Sequence, residues 1–153
     1  KSWSGKSNLV AHLVSRGASY YSDELAILDD EGRVRPYPRP LIRRDTRGDL
    51  VHEVSVPLHD AKTLPRRAPD LILFVPYRES ARLELRSMGK DRAVLELLKN
   101  TPQTWRDRPG MVSVFGKAVS GASAYEGQRG EAAEMSDRLI AMIRAEVTER
   151  NRR

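Results

Sequence analysis

Ser4-Gly5-Lys6-Ser7, near the start of the chain, matches the end of the phosphate-loop pattern G-x-x-x-x-G-K-[ST], which works where a strand feeds through a loop into a helix N-terminus. Its opening glycine would fall immediately before Lys1, so the feeding strand is expected upstream. In such a loop the backbone N–H groups cradle phosphate oxygens, the lysine reaches the outer phosphates, and the Ser or Thr hydroxyl ligates Mg²⁺. Ser2, Trp3, Ser4, Gly5, Lys6, Ser7 and Asn8 are accordingly the candidate nucleotide-binding residues. Lys6 carries the charge and Ser7 the metal-ligand role.

The next residues agree with that placement. Asn8 to Arg16 carries apolar residues at Leu9, Val10, Leu13 and Val14, a helical spacing, and Gly17 supplies a stop. The helix would aim its free N–H groups and the positive end of its dipole at the anion. Ala18 to Ser22 reads as a strand that ends in two carboxylates, Asp23 and Glu24. A helix of about ten residues runs about 15 Å, and a returning strand of about five covers about 16 Å, so the acids come back to the level of the phosphates. Asp23 and Glu24 are therefore candidate metal ligands and, with Lys6, candidate catalytic residues. One acid would orient Mg²⁺ and the other would take the proton of an attacking hydroxyl.

Further along, Leu25-Ala26-Ile27-Leu28 and Arg33 to Tyr37 flank the turn Asp29-Asp30-Glu31-Gly32, which predicts a β-hairpin. Asp29 and Asp30 suit its tip, and Pro36, Pro38 and Pro40 confine the second strand to an edge or end it. Weaker strand signals surround Leu50-Val51 and Val54-Ser55-Val56, and Pro65 to Pro69 reads as a basic loop. Leu71 to Val75 is a continuous apolar run, the pattern of a strand buried on both faces in the middle of a sheet. Helices are expected over Asp91 to Asn100, over Pro109 to Val119 with a stop near Gly121, and from Glu131 onward. Met135, Leu139, Met142, Ile143 and Val147 lie on one stripe of the last helix. Ser123 to Glu126 reads as a short strand.

The composition excludes several classes. The 153 residues fit one domain with a real core, residues 1–153, whose basic end at 148–153 is expected to fray. There is no cysteine, so disulfides and zinc-thiolate sites are out, and a reducing cytoplasm fits. No apolar run approaches the roughly 18 residues that span a bilayer, and no signal-peptide core is visible. The net charge of +6 is spread among acids, as at Arg33, Arg35, Arg39, Arg43, Arg44, Arg66 and Arg67, and predicts a solvated surface rather than a nucleic-acid patch.

Gly5-Lys6-Ser7, the helix closing at Arg16-Gly17, Tyr21-Ser22-Asp23-Glu24, the hairpin through Gly32 and Pro36-Tyr37-Pro38-Arg39-Pro40-Leu41 together resemble the catalytic domain of HPr kinase/phosphorylase and its smaller serine-kinase relatives. The likeness is most specific over the first forty residues; the later strand and helices are similar to the generic relatives. It implies an α/β P-loop kinase fold with a central sheet flanked by helices, similar to phosphoenolpyruvate carboxykinase, with the first strands missing. It also implies ATP and Mg²⁺ as cofactors and a protein or peptide serine as acceptor, with Asp23 and Glu24 standing where the family has paired aspartates. Glu24 departs from that pair, and Trp3 stands where the loop usually has glycine. The glycine-rich segment of the bifunctional enzyme is absent, so a kinase for another protein is expected, in the cytoplasm, with no nucleic acid or membrane partner and with self-association left open.

Other residues invite chemistry and have plainer roles. His12 lies within the first helix and reads as a packing or surface residue rather than a catalyst. His52-Glu53 and His59-Asp60 lack the H-E-x-x-H spacing of a metal site. Arg78, after the apolar run, reads either as a phosphate-approaching charge or as a surface ion-pair partner. Two other functions compete with the protein kinase. One is a small-metabolite kinase, whose acid is followed by a helix rather than a proline-ended hairpin; the other is a nucleotide-binding module without transfer activity.

Overall fold

The computed structural model describes residues 5–44, 50–54, 63–106 and 108–150. Their order is α1 (Lys6–Ser15), β1 (Ile27–Leu28), β2 (Val34–Arg35), β3 (Leu41–Arg44), β4 (Leu50–Val54), β5 (Leu71–Phe74), β6 (Glu84–Ser87), α2 (Lys90–Lys99), α3 (Gln103–Arg106), α4 (Met111–Ser120), β7 (Ser123–Gln128) and α5 (Ala132–Arg150). The architecture is mixed α/β. In place of one central sheet, the described strands form two antiparallel pairs, β1-β2 and β3-β4, and a three-stranded sheet ordered β5-β7-β6.

Helix α1 starts directly on Gly5 and ends in a hydrogen-bonded reversal, with Gly17 N–H donating to Val14 O at 2.9 Å and Ala18 N–H to Leu13 O at 3.1 Å. These two bonds satisfy carbonyls left open at a helix end. The β1-β2 hairpin pairs Ile27 with Arg35 and Leu28 with Val34. Its turn closes through Gly32 N–H to Asp29 O at 2.9 Å and Asp29 N–H to Arg33 O at 3.0 Å. Gly32 has φ 72°, and an added Cβ would lie 2.4 Å from the Ala118 backbone nitrogen, so both conformation and space demand glycine. The tip is docked onto α4, where Lys117 Nζ donates to Asp30 O at 2.9 Å and pairs with Glu31 at 3.2 Å.

Two sequence expectations fail here. Ala18 to Ser22 forms no strand: among the described residues one backbone bond, Tyr37 N–H to Tyr21 O at 3.0 Å, joins it to the facing segment. That segment, Pro36 to Pro40, has prolines at alternate positions and too few N–H groups to build a ladder. The apolar run forms β5 as expected, but at the edge of its sheet and half-buried throughout. The middle belongs to β7, parallel to β5 and antiparallel to β6. Its small residues let α2 and α4 approach, and Ala124 packs with Met88, Ala93 and Val119, bordered by Ile72, Phe74, Val94 and Leu97.

Helix boundaries follow the sequence closely for α2 and α4, which are capped at Asn100 and Gly121. In α5, Ala132, Met135, Ser136 and Leu139 are buried at helical spacing. Met142 is half-buried and Ile143 is exposed, and the Val147 side chain lies outside the described residues. The helix runs through Arg150, which takes in the first part of the expected frayed tail; residues 151–153 lie outside the described residues. A second cluster joins Ala11, Tyr20 and Leu41, with Val10 and Val14 against it, and α1 lies along α5 and β3. Arg16 fastens α1 to α5 through Asp137, with Nε to Oδ1 at 2.7 Å. No described helix is long and apolar enough to cross a membrane.

Candidate functional site

Gly5 has φ 64° and ψ 15°, a left-handed conformation from which its carbonyl accepts the first turn of α1, Leu9 N–H to Gly5 O at 3.1 Å. Lys6 and Ser7 therefore occupy the first two helical positions, where backbone N–H groups have no partner within the helix. Lys6 is exposed, and Ser7 and Asn8 are half-buried. Ser2, Trp3 and Ser4 lie outside the described residues, as do Val56, His59 and Asp60, and the His52 and Glu53 side chains with them. His12 sits half-buried in α1.

Ser7 Oγ donates to Asp23 Oδ2 at 2.8 Å across 16 residues of chain. The expected return of the acid to the start of α1 is thus realised, although an irregular segment rather than a strand makes it. Asp23 is held from its other side. The Tyr20 hydroxyl lies 3.0 Å from Asp23 Oδ1 and 3.0 Å from the Arg39 carbonyl oxygen, so one proton is offered to two acceptors. Tyr20 is 3 % exposed and packs on Ala11 and Leu41, so the apolar cluster beneath α1 fixes where the carboxylate stands. Burial, then the hydrogen bond and charge of Asp23, push the Tyr20 phenol up to about 12. It stays a neutral donor throughout the ordinary pH range.

Glu24 is placed differently. Its Oε2 accepts from Arg39 Nη1 at 2.9 Å, both side chains being more than half exposed. Of the predicted acid pair, Asp23 is joined to Ser7 and Glu24 to Arg39. Arg78 is exposed, and its backbone N–H donates to Arg129 O at 2.8 Å.

The arginine that reaches Gly5 is Arg129, which nothing in the sequence analysis singled out. It follows β7 directly and is 2 % exposed. Its Nη2 lies 2.9 Å from where a Cβ on Gly5 would stand, and the left-handed conformation there favours glycine. Nη1 donates to Gly130 O at 3.2 Å, and Cζ sits 5.6 Å from the Tyr77 ring centroid. Burial lowers the affinity of this guanidinium for its proton, and the charges of Glu131 and Tyr77 oppose that. The Tyr77 phenol is raised by donating to Glu131 Oε1 at 2.6 Å. The available signal was Gly127-Gln128-Arg129-Gly130, a charged residue between glycines at a strand end.

The donor set fits Mg²⁺. That ion takes oxygen ligands at about 2.1 Å in an octahedron, which puts neighbouring ligands about 3 Å apart, and it is usually held by one or two protein oxygens plus phosphate and water. Ser7 Oγ and Asp23 Oδ2 have that spacing and chemistry. Among the described residues no three His, Cys, Asp or Glu side chains gather as a metal cluster, so a closed all-protein site is not what this arrangement offers. For a polyphosphate, the fit lies in the positive end of α1, Lys6 and the cation beside Gly5. Comparison with protein-family models, with curated proteins and with solved structures finds no match to this chain.

Proposed function

We propose that the chain is an ATP- and Mg²⁺-dependent phosphotransferase of the P-loop kinase type, moving the γ-phosphoryl group to a serine hydroxyl of a protein or peptide. The observation that carries this proposal is the 2.8 Å bond between Ser7 and Asp23 at the N-terminus of a helix that begins Gly-Lys-Ser. A hydroxyl and a carboxylate at the positive end of a helix, beside an exposed lysine, are the parts that phosphoryl transfer uses.

Lys6 and the first N–H groups of α1 would hold the phosphates, and Ser7 with Asp23 would hold the metal. Bound ATP and Mg²⁺ supply the phosphoryl group and neutralise charge on its oxygens. The acceptor serine oxygen forms its bond to the γ-phosphorus while the bond to the bridging oxygen breaks; ADP keeps that electron pair, and the serine proton passes to a carboxylate. Glu24 is one residue from Asp23 and tied to Arg39 by an exposed pair, worth about 0 to 1 kcal/mol, so releasing it to take that proton costs little. Tyr20 keeps Asp23 facing Ser7.

Phosphate transfer from labelled ATP to serine peptides tests this assignment, with Lys6→Ala and Asp23→Asn each expected to lower turnover about 10²-fold or more. Wild-type turnover in either variant would remove that residue from the mechanism. The competing reading is a nucleotide-binding module without transfer activity. ATP binding with neither transfer nor hydrolysis would select it.

A further inference from the structure

We propose that the exposed row Arg33, Arg35, Tyr37 and Arg39 is a docking track for an acidic protein segment, which lies along it extended with carboxylates at alternate positions; taking that segment as the phosphoryl acceptor rests on the phosphotransferase reading. Along residues 33–39 exposure alternates: Arg33, Arg35, Tyr37 and Arg39 are exposed, while Val34, Pro36 and Pro38 between them are half-buried. One side of an extended segment therefore presents three guanidinium groups and a phenol, with Tyr37 42 % open to solvent. Arg66 reaches the same side, because it and Arg33 share Asp29 Oδ2, at 3.4 and 3.0 Å.

The track is fixed in shape. Val34 N–H donates to Arg67 O at 2.8 Å, Val34 O accepts from Arg67 N–H at 3.2 Å, and Tyr37 N–H donates to Tyr21 O at 3.0 Å. Pro36, Pro38 and Pro40 hold their own φ and offer no N–H, so a partner strand cannot pair along them and recognition falls to side chains. The charge is incompletely answered. Asp29 serves Arg33 and Arg66, Glu24 serves Arg39 at 2.9 Å, and Arg35 between them has no side-chain partner among the described residues. At the hairpin tip, Glu31 is drawn off by Lys117 at 3.2 Å.

Alternate residues of extended chain stand about 6.6 Å apart on this track and on a bound peptide alike, so carboxylates two positions apart meet Arg33 and Arg35 in register. The row ends at the candidate site, where Arg39 holds Glu24 and its carbonyl accepts from the Tyr20 hydroxyl that braces Asp23. A serine beside Glu24 would thus have its acidic residues about four and six positions along, facing Arg35 and Arg33. The single aromatic ring in the row gives nucleic-acid bases little to stack on, which disfavours a single strand as partner.

The test measures binding of labelled peptides to the whole chain by fluorescence anisotropy, without nucleotide. The peptides share one serine and carry Glu, Gln or Lys at those two positions, on either side of it. In one chain direction the Glu peptide is expected to bind about tenfold more tightly than its Gln counterpart at low salt, the two converging within about twofold near 0.5 M salt, with the Lys peptide weakest. Arg35→Gln should weaken Glu-peptide binding about threefold and Arg35→Glu about tenfold, with melting temperature and Gln-peptide binding unchanged.

Equal affinity for Glu and Gln peptides, or full Glu-peptide affinity in Arg35→Glu, overturns the proposal. So does a thymidine oligonucleotide that binds more tightly than the Glu peptides and loses that affinity in Arg35→Glu, since the track would then be a nucleic-acid surface. Should Arg35→Glu not fold, the wild-type comparison of Glu and Gln peptides decides, together with Arg35→Gln. Labelled ATP added to the same mixtures separates the two readings: preferential Glu-peptide binding without phosphate transfer supports the docking track and removes the phosphotransferase.

Discussion

Removing the Tyr20 hydroxyl, by Tyr20→Phe, tests the support beneath the candidate site. The phenol ionises at about 12 in the folded chain and near 10 when unfolded. Below 10 both states hold the proton and the contribution to stability is complete. Between 10 and 12 the unfolded chain has lost a proton that the folded chain keeps, so stability falls as pH rises, and above 12 the contribution is gone. Burial, the largest cause of that shift, penalises the phenolate without strengthening the neutral phenol, so the cost of Tyr20→Phe at neutral pH is that of the hydrogen bond alone: about 1.5 to 3 kcal/mol for a charged acceptor, trimmed toward about 2 kcal/mol because Asp23 is only half-buried.

The assay pairs tyrosinate absorbance during alkaline titration with denaturant unfolding at several pH values. Of the five tyrosines, Tyr20 is expected in the highest transition, and the difference between wild type and Tyr20→Phe isolates it from Tyr77, which is also raised. The variant should lose part of the alkaline fall in stability. The reasoning fails if that difference titrates near 10, or if the variant unfolds at the wild-type midpoint with an unchanged alkaline limb.

Other perturbations have equally definite outcomes. Asp29 accepts from the Arg33 and Glu31 N–H groups and from Arg33 Nε, and the Arg33 N–H above all holds its carboxyl below the ordinary value of 3.8. Its contribution is present above 3.8 and lost as pH falls through the lower folded value, so Asp29→Asn should flatten the acid limb of a stability profile; an unaltered limb counts against it. Gly32→Ala places a Cβ against the α4 backbone at positive φ and should lower stability by about 2 kcal/mol or more, read from the melting temperature. Leu41→Ala empties a fully buried position beside Tyr20 and should cost about 2 to 5 kcal/mol while bringing the Tyr20 titration down toward 10. Glu24→Gln breaks only an exposed pair, so its melting temperature should match wild type within about a degree or two, and a large loss would show that the pair is structural.

Whatever short-range rules govern was legible in the chain before folding. Gly5 and Gly17 bracket α1, Asp29 to Gly32 make a turn, and apolar spacing sets the extents of α2, α4 and α5, because caps, turns and helical periodicity act within a few residues. Chain length alone even returned Asp23 to Ser7, since one helix and an equal length of extended backbone close on their origin. Tertiary structure decided the rest. Nothing local shows that β7 rather than the more apolar β5 takes the middle of the sheet, that Arg39 claims Glu24, or that Tyr20 supports Asp23 from beneath. Arg129 is the clearest case. Beside its own neighbours it is one cation among 27 lysines and arginines, and its burial against Gly5 follows only from the docking of β7 and the 76–78 segment behind the start of α1, a long-range placement that no local pattern encodes.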